Sequence, residues 1–241
     1  MKRYELSAAQ WARIAPLLPG EVSDPGRTWS DSHLFVNGFL WVFRSGAHWR
    51  FSRFSRFSRW CRDGVWERVF DTLTADRDKT CLMLDSTIVR VHQQAATGKG
   101  GGKDQALGRS RGGLTTKVHM LADTLGRPLR FQITAGQFHD SKAAADFLKG
   151  QRAKAALADK AHDSNDLRAL IADMKGEAVI PSKRNRKVFI PHDEAACKHR
   201  NQIERCFGRL KHFRRFATRY DRRTIHFTGF VHLAAAMIWL R

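Results

Sequence analysis

The chain has 241 residues, with 43 Lys plus Arg against 23 Asp plus Glu, a formal net charge of +20 at pH 7 and a pI near 10.7. A hydrophobic content of 42%, with 16 Phe and 7 Trp, excludes disorder as the main state and suffices for one sizeable core, or a core plus a small accessory domain. Charge this positive calls for a polyanionic partner, and nucleic acid is the first candidate. No apolar run reaches the ~18 to 20 residues of a membrane-spanning helix, and MKRYELSAAQW lacks the apolar stretch of a secretory leader. A cytoplasmic protein with no membrane role is expected. Cys61, Cys81, Cys197 and Cys206 form no CxxC pair and read as reduced thiols.

In chain order, Ser7 stands three residues before Gln10, a capping-box spacing, and Trp11, Ile14 and Leu18 then share a helical face over residues 7 to 18. After the loop PGEVSDPG, Ser30 or Asp31 can cap a second helix with Leu34, Phe35, Gly38, Phe39 and Val42 at helical spacing. A further helix fits Gly64 to Leu73, with Trp66, Val69, Phe70 and Leu73 as its buried stripe. Between them lies FSRFSRFSRW, residues 51 to 60, a triplet repeat. A step of three advances about 300° on a helix, so Phe51, Phe54, Phe57 and Trp60 drift instead of forming one stripe. The repeat reads first as a duplicated triplet in a tolerant segment and second as an Arg and aromatic helix that contacts DNA.

From residue 80 the pattern turns to strands: CLMLDSTIVRVH, LTTKVHMLAD, PLRFQITAG and KAALADKAH, parted by Gly, Asp and Pro turns. The second and third form a hairpin across Asp123 to Gly126. A Gly-rich basic loop of more than twenty residues separates the first two strands, and is either disordered or DNA-contacting. The closing IHFTGFVHLAAAMIWLR is expected as a helix packed on the sheet. Splitting the charge after Asp76 assigns +3 to the first part and +17 to the second, and residues 183 to 223 alone carry 14 Lys plus Arg against four acids. Aromatic residues interleave these cations, which favours a folded basic surface over a solvated run.

Three acids occupy settings that a lone carboxylate avoids. Asp85 interrupts an apolar strand, Asp159 follows KAALA, and Glu204 lies in a strongly basic helix. Burying such groups costs several kcal/mol unless cations or hydrogen bonds compensate, and a divalent metal would do so. Each taken singly also fits a turn or helix cap. A helix from about Lys198 to Phe213 would bury Ile203, Phe207 and Leu210 and place Arg200, Glu204 and Lys211 on one adjacent strip. A zinc module from His192, Cys197, His199 and Cys206 is a weaker reading, because its spacings match no common structural site.

LDSTIVRVHQ, LADKAHDS and RNQIERCFGRLKHFRRFATRYDR together resemble the catalytic blocks of bacterial insertion-sequence transposases of the DDE type, in particular the "insertion sequence five" family. The resemblance covers residues 80 to 236, with weaker helical similarity over 1 to 76. It implies an α/β, ribonuclease-H-like catalytic domain at 77–241, a mixed sheet flanked by helices. A small all-helical N-terminal domain at 1–76, for DNA binding or assembly and shortened around 50–60, would precede it. Carried over residue by residue, Asp85, Asp159 and Glu204 become catalytic acids and ligands of two Mg²⁺ or Mn²⁺ ions. Arg200, Glu204 and Lys211 keep the spacing of the superfamily pattern Y-x2-R-x3-E-x6-K, while Cys197 stands at its tyrosine and His162 where the family often has Tyr. Arg200, Lys211, Arg214, Arg215, Arg219 and Lys160 are expected to bind DNA, and His139, Asp140 and His162 to support the acids from behind. The implied substrate is double-stranded DNA, both the element's terminal inverted repeats and its target, engaged by a homodimer or larger assembly at the nucleoid. The triplet repeat and Cys197 also leave open a catalytically impaired remnant that only binds DNA.

Overall fold

The structure, a computed structural model, describes residues 4–20, 31–47, 51–78, 80–97, 105–110 and 112–241, with the side chains of 51–53 outside the description. The chain divides into two compact units: Met1–Ala75 with His92–Lys99 and Leu210–Arg241, and Asp76–Val91 with Gly100–Arg209. The last segment of the chain clusters with the N-terminal helices.

The first unit is helical. Helix α1 (Ala8–Ile14) opens on the Ser7–Gln10 capping box and passes at Pro16 into a 3-10 turn, Ala15–Leu17, so the expected helix to residue 18 is shorter. Asp31 caps α2 (Ser32–Ser45), which buries Phe39 and Phe43 fully but leaves Leu34 exposed. The triplet repeat is helical: α3 (Phe51–Arg62) buries Phe57 and Trp60 completely. It is therefore no tolerant surface segment, since the drifting triplet gives enough apolar positions for neighbours on two sides. Arg56, also buried, stacks its guanidinium 3.8 Å from the Phe35 ring centroid and 4.8 Å from that of Trp60, and donates from Nη2 to Ser32 Oγ at 2.7 Å. Helix α4 (Val65–Leu73) follows Gly64, which takes a left-handed conformation at φ 67°.

Where the closing segment was expected on the sheet, α11 (Thr224–Trp239) packs within its own unit against α3 and α4 and is buried nearly all round. An all-round apolar helix needs partners on every side, and α3, α4 and, through Phe43 stacked on Phe230, α2 supply them. Gly229 permits the closest approach, because a Cβ there would lie 2.4 Å from Cys61 Sγ. Two short helices, α5 (Gln93–Ala96) and α10 (Arg214–Ala217), and the two-residue strand β7 (Thr218–Arg219) complete this unit.

The second unit is a mixed sheet with helices. Strands β1 (Cys81–Val91), β3 (Gly113–Ala122) and β4 (Pro128–Ala135) run antiparallel, with β3 beside β1 and β4 beside β3. Strands β5 (Ala155–Ala158) and β6 (Glu177–Val179) extend the other edge in parallel with β1, and β2 (Gly108–Ser110) adds a short antiparallel pairing to β3. Three antiparallel strands followed by two parallel ones give the ribonuclease-H-like arrangement that the resemblance implies. Leu82, Met83 and Leu84, an unbroken apolar run, are fully buried because β1 is central and covered. Helices α6 (Asp140–Leu148) and α7 (Asn165–Asp173) belong to this unit, as do α8 (Glu194–His199) and most of α9 (Asn201–Lys211). The β3–β4 turn falls at Asp123–Gly126 as expected, with Gly126 at φ 71° against the Gln202 backbone. Much of the Gly-rich loop, residues 98–104 and 111, lies outside the described residues. Among the described residues no helix is long and apolar enough to cross a membrane.

Candidate active site

Parallel pairing of β1 with β5 aligns Met83 with Leu157 and Leu84 with Ala158. The next residues, Asp85 in the middle of β1 and Asp159 just past the end of β5, are therefore set side by side by the register. The Asp85 side chain is 16% exposed; its Oδ1 accepts from the Ser86 amide at 2.8 Å and its Oδ2 faces Arg200 Nη1 at 3.3 Å. Burial pushes the Asp85 carboxyl up from its ordinary range and Asp159 adds to this, while the Ser86 amide and the Arg200 charge oppose it. Asp159 caps the 3-10 turn Lys160–His162: its Oδ1 accepts from the Ala161 amide at 3.0 Å and pairs with His162 Nδ1 at 2.7 Å. The His162 bond holds the Asp159 carboxyl below its usual range. Asp159 thus fills the cap role as well as standing beside Asp85.

The helix expected over 198–213 is two helices, α8 and α9, jointed at Arg200, which ends α8 at φ −54° and ψ −19°. Ile203, Phe207 and Leu210 are buried as expected, together with Cys206. That anchoring turns Arg200 and Glu204 outward one turn apart, and Arg200 Nη2 meets Glu204 Oε1 at 2.5 Å. Arg200, a residue expected to bind DNA, joins Asp85 to Glu204. Glu204 is half exposed, and Lys211 lies at the far end of the same helix, exposed. Among the described residues no three His, Cys, Asp or Glu side chains converge as a metal-holding group, so the acids meet through Arg200 and the zinc reading gains no cluster.

The supporting residues divide. His162 is buried against Asp159. Asp140 opens α6 and accepts from Ser86 Oγ at 2.7 Å, with Lys117 Nζ at 3.3 Å and His119 Nδ1 at 3.4 Å from the same oxygen, so it backs the residue next to Asp85. His139 caps α6 without a side-chain capping bond. Ser86, Lys117 and His119 went unnoticed in the sequence; the β1–β3 register, which pairs Ser86 with His119, is what brings them to Asp140.

Among the expected DNA contacts, Lys160, Lys211 and Arg214 are exposed. Arg215 and Arg219 are not available to phosphates: they are 5% and 0% exposed and surround Asp221. Arg215 Nη1 lies 3.6 Å from Asp221 Oδ1, and Arg219 donates from Nε to the Asp221 carbonyl at 3.0 Å.

With this geometry in place, the chain compares directly with known proteins. The family model described as the transposase DDE domain matches residues 76–240, and the model for transposases of the IS4/5 family matches 6–70. The chain belongs to the insertion-sequence DDE transposases. A protein named as a transposase for insertion sequence element IS6501 in Brucella ovis is 42% identical over 130 residues, 53% of this chain and all of that one. Another, named for IS402 in Burkholderia cepacia, is 29% identical over 135 residues, 51% of this transposase and 62% of the relative. A cryo-EM structure of a piggyBac transposase synaptic complex with hairpin DNA overlaps 79% of this transposase and 40% of its own chain, at 13% identity and a TM-score of 0.38.

Carboxylate oxygens such as those of Asp85 and Asp159 are hard donors, which suit Mg²⁺ or Mn²⁺ rather than a soft metal. The donor set of this transposase agrees: two adjacent carboxylates, one of them driven toward protonation by burial, ask for positive charge, which Arg200 provides here.

Proposed function

We propose that this transposase binds the terminal inverted repeats of its own insertion sequence and catalyses their metal-dependent cleavage and transfer into target DNA. The carrying observation is the β1–β5 register that sets Asp85 beside Asp159, with Asp85 joined through Arg200 to Glu204. Asp85, Asp159 and Glu204 would hold two Mg²⁺ or Mn²⁺ ions, and the chemistry such a pair supplies is Lewis-acid polarisation of the phosphodiester and stabilisation of its leaving oxygen. In hydrolysis, water attacks the phosphorus and the P–O bond to the element's 3′ oxygen breaks, leaving a 3′-hydroxyl. In strand transfer that hydroxyl attacks a target phosphodiester and displaces its 3′ oxygen.

The chain's own groups prepare this. His162 keeps Asp159 ionised and oriented. Arg200 positions Asp85 and Glu204 and offsets their charge before DNA arrives. Lys160, Lys211 and Arg214, exposed and positive, serve the phosphate backbone, which carries affinity but little sequence information. Two ends must be joined to one target, so a homodimer or larger assembly is the working form in the DNA complex, located at the nucleoid.

Purified protein with Mn²⁺ and duplex DNA ending in the inverted repeats that flank its coding region should nick those ends. Asp85→Asn should lower the rate by about two orders of magnitude or more while leaving DNA affinity within about twofold. Cleavage that survives Asp85→Asn overturns the assignment, and a wild-type protein that binds but never nicks is a remnant.

A further inference from the structure

Val188 and Phe189 are adjacent and are the most exposed large hydrophobic side chains among the described residues, at 72% and 71%. A single exposed apolar residue needs no explanation, but these two crown a loop that is built to be stiff. The loop joins β6 to α8. Its base is closed by Ser182 Oγ, which donates to the Ile190 carbonyl at 3.1 Å and accepts from the Ile190 amide at 3.0 Å, and Pro181 and Pro191 flank the closure. One limb is fastened to Asp163, a buried acid: the Lys183 amide donates to its Oδ2 at 2.9 Å, Arg186 Nη1 to its Oδ1 at 2.8 Å, and Lys183 Nζ to its carbonyl at 2.9 Å. Arg168 bonds the same carboxylate and also the Ile180 carbonyl. So much bonding would be superfluous for a loop that only connects two elements.

The chemistry of the loop is equally one-sided. Residues 181–191 carry Lys183, Arg184, Arg186 and Lys187 and no acid. Lys183 and Arg186 are spent on the anchor, while Arg184 and Lys187, which alternate with them along the chain, are exposed. An apolar tip directly preceded by exposed cations matches a polyanion whose interior is apolar, and a DNA base stack is that target. Asp163 directly follows the turn that Asp159 caps, so the loop is fastened a few residues along the chain from the site carboxylate.

We propose that the 181–191 loop is a DNA wedge: Phe189, with Val188, enters the stack at a weakened or opened base step while Arg184 and Lys187 hold the flanking phosphates. This rests on the transposase reading above and adds to it a site that distorts the substrate. The benefit is that bases near the reacting phosphate are unstacked before the chemistry, by a rigid element tied to the strand end that carries Asp159.

The test uses the full chain without divalent metal and two duplexes of about 25 base pairs, one fully paired and one with a central T·T mismatch and 2-aminopurine beside it. Wild type should bind the mismatched duplex about tenfold more tightly, because the unstacking cost is already met, and should brighten the 2-aminopurine. Phe189→Ala should lose both effects while its affinity for the paired duplex stays within about twofold, and Phe189→Trp should keep them. The wedge is overturned if wild type shows no preference, if preference and brightening survive Phe189→Ala, or if Phe189→Ala alters only concentration-dependent self-association, which would make the tip a protein contact. Nicking of inverted-repeat DNA in Mn²⁺ is scored separately: nicking without the mismatch effects removes the wedge alone, and the effects without nicking keep the wedge and remove the catalytic reading.

Discussion

Arg219 is wholly buried, and its guanidinium serves the interior: it caps the Asp221 carbonyl, reaches Thr224 Oγ1 at 3.2 Å, and lies 5.4 Å from the Phe227 ring centroid. Burial lowers Arg219 to about 10 and pushes the Asp221 carboxyl up to about 6, against the opposing pull of Arg215 and Arg219. Removing one partner of such a group leaves the others buried and uncompensated, so Asp221→Ala should cost about 3–5 kcal/mol in urea unfolding. Arg219→Ala should likewise lower stability, with no change in the salt dependence of DNA binding. Arg214→Ala should do the reverse, leaving the unfolding midpoint in place and reducing the slope of log affinity against log salt by about 1. A charge run in the sequence assigns a cation to solvent by default; which cations turn inward depended here on one acid, Asp221, two residues from Arg219.

At the scale of elements, the triplet helix α3 and the closing helix α11 form the core of the first unit. Phe57 stacks on Phe230 at 4.4 Å and meets Phe39 edge to face at 5.1 Å, ring centroid to centroid. Phe57→Ala should therefore cost about 3–5 kcal/mol, whereas Arg59→Ala, on the exposed face of the same helix, should cost under about 0.5 kcal/mol. Gly229→Ala forces a methyl onto Cys61 Sγ and should cost about 1–3 kcal/mol. Truncating the sulfur relieves that clash, so Gly229→Ala with Cys61→Ala should be less destabilised than the sum of the two. A purely additive cycle would place the strain elsewhere. Helical periodicity found α1, α2 and α4 because each has one apolar face. It undervalued α3, whose apolar residues face several partners, and it could not say where α11 docks, because an all-round apolar helix has no preferred face.

At the scale of the whole molecule, three buried histidines set the response to acid. His119 in the second unit, and His226 and His232 in the first, are each lowered to about 4, chiefly by burial. His226 meets Ser58 Oγ at 2.9 Å, and His232 stacks on Phe70 at 5.5 Å. For a group depressed in the folded state, the stability contribution is complete above the unfolded value near 6.5 and is lost as pH falls toward 4. Asp221 has the opposite sign: raised to about 6, its contribution is present below its unfolded value of 3.8 and is lost as pH rises through 6. Asp85, also raised by burial, has the same sign as Asp221, but three histidines outweigh these two acids, so thermal stability should fall between about pH 6.5 and 4 by a few kcal/mol. His232→Phe should flatten the curve; a midpoint that is constant or rises across that range would contradict the burial of these rings.

From residue order alone the family is legible: the blocks around Asp85, Asp159 and Glu204, their spacing, the excess of cations around Glu204, and the order of helices and strands. These are legible because hydrophobic period, capping and charge are local or carried by residue type. Tertiary structure alone decided which acids meet, since only the parallel register of β1 and β5 sets Asp85 beside Asp159, and only the joint between α8 and α9 lets Arg200 reach Asp85 and Glu204 together. It also decided that Arg215 and Arg219 turn inward, that the final helix joins the N-terminal unit, and that Phe189 stands in solvent. Each of these depends on contacts between residues far apart in the chain, whose pairing energy no local pattern records.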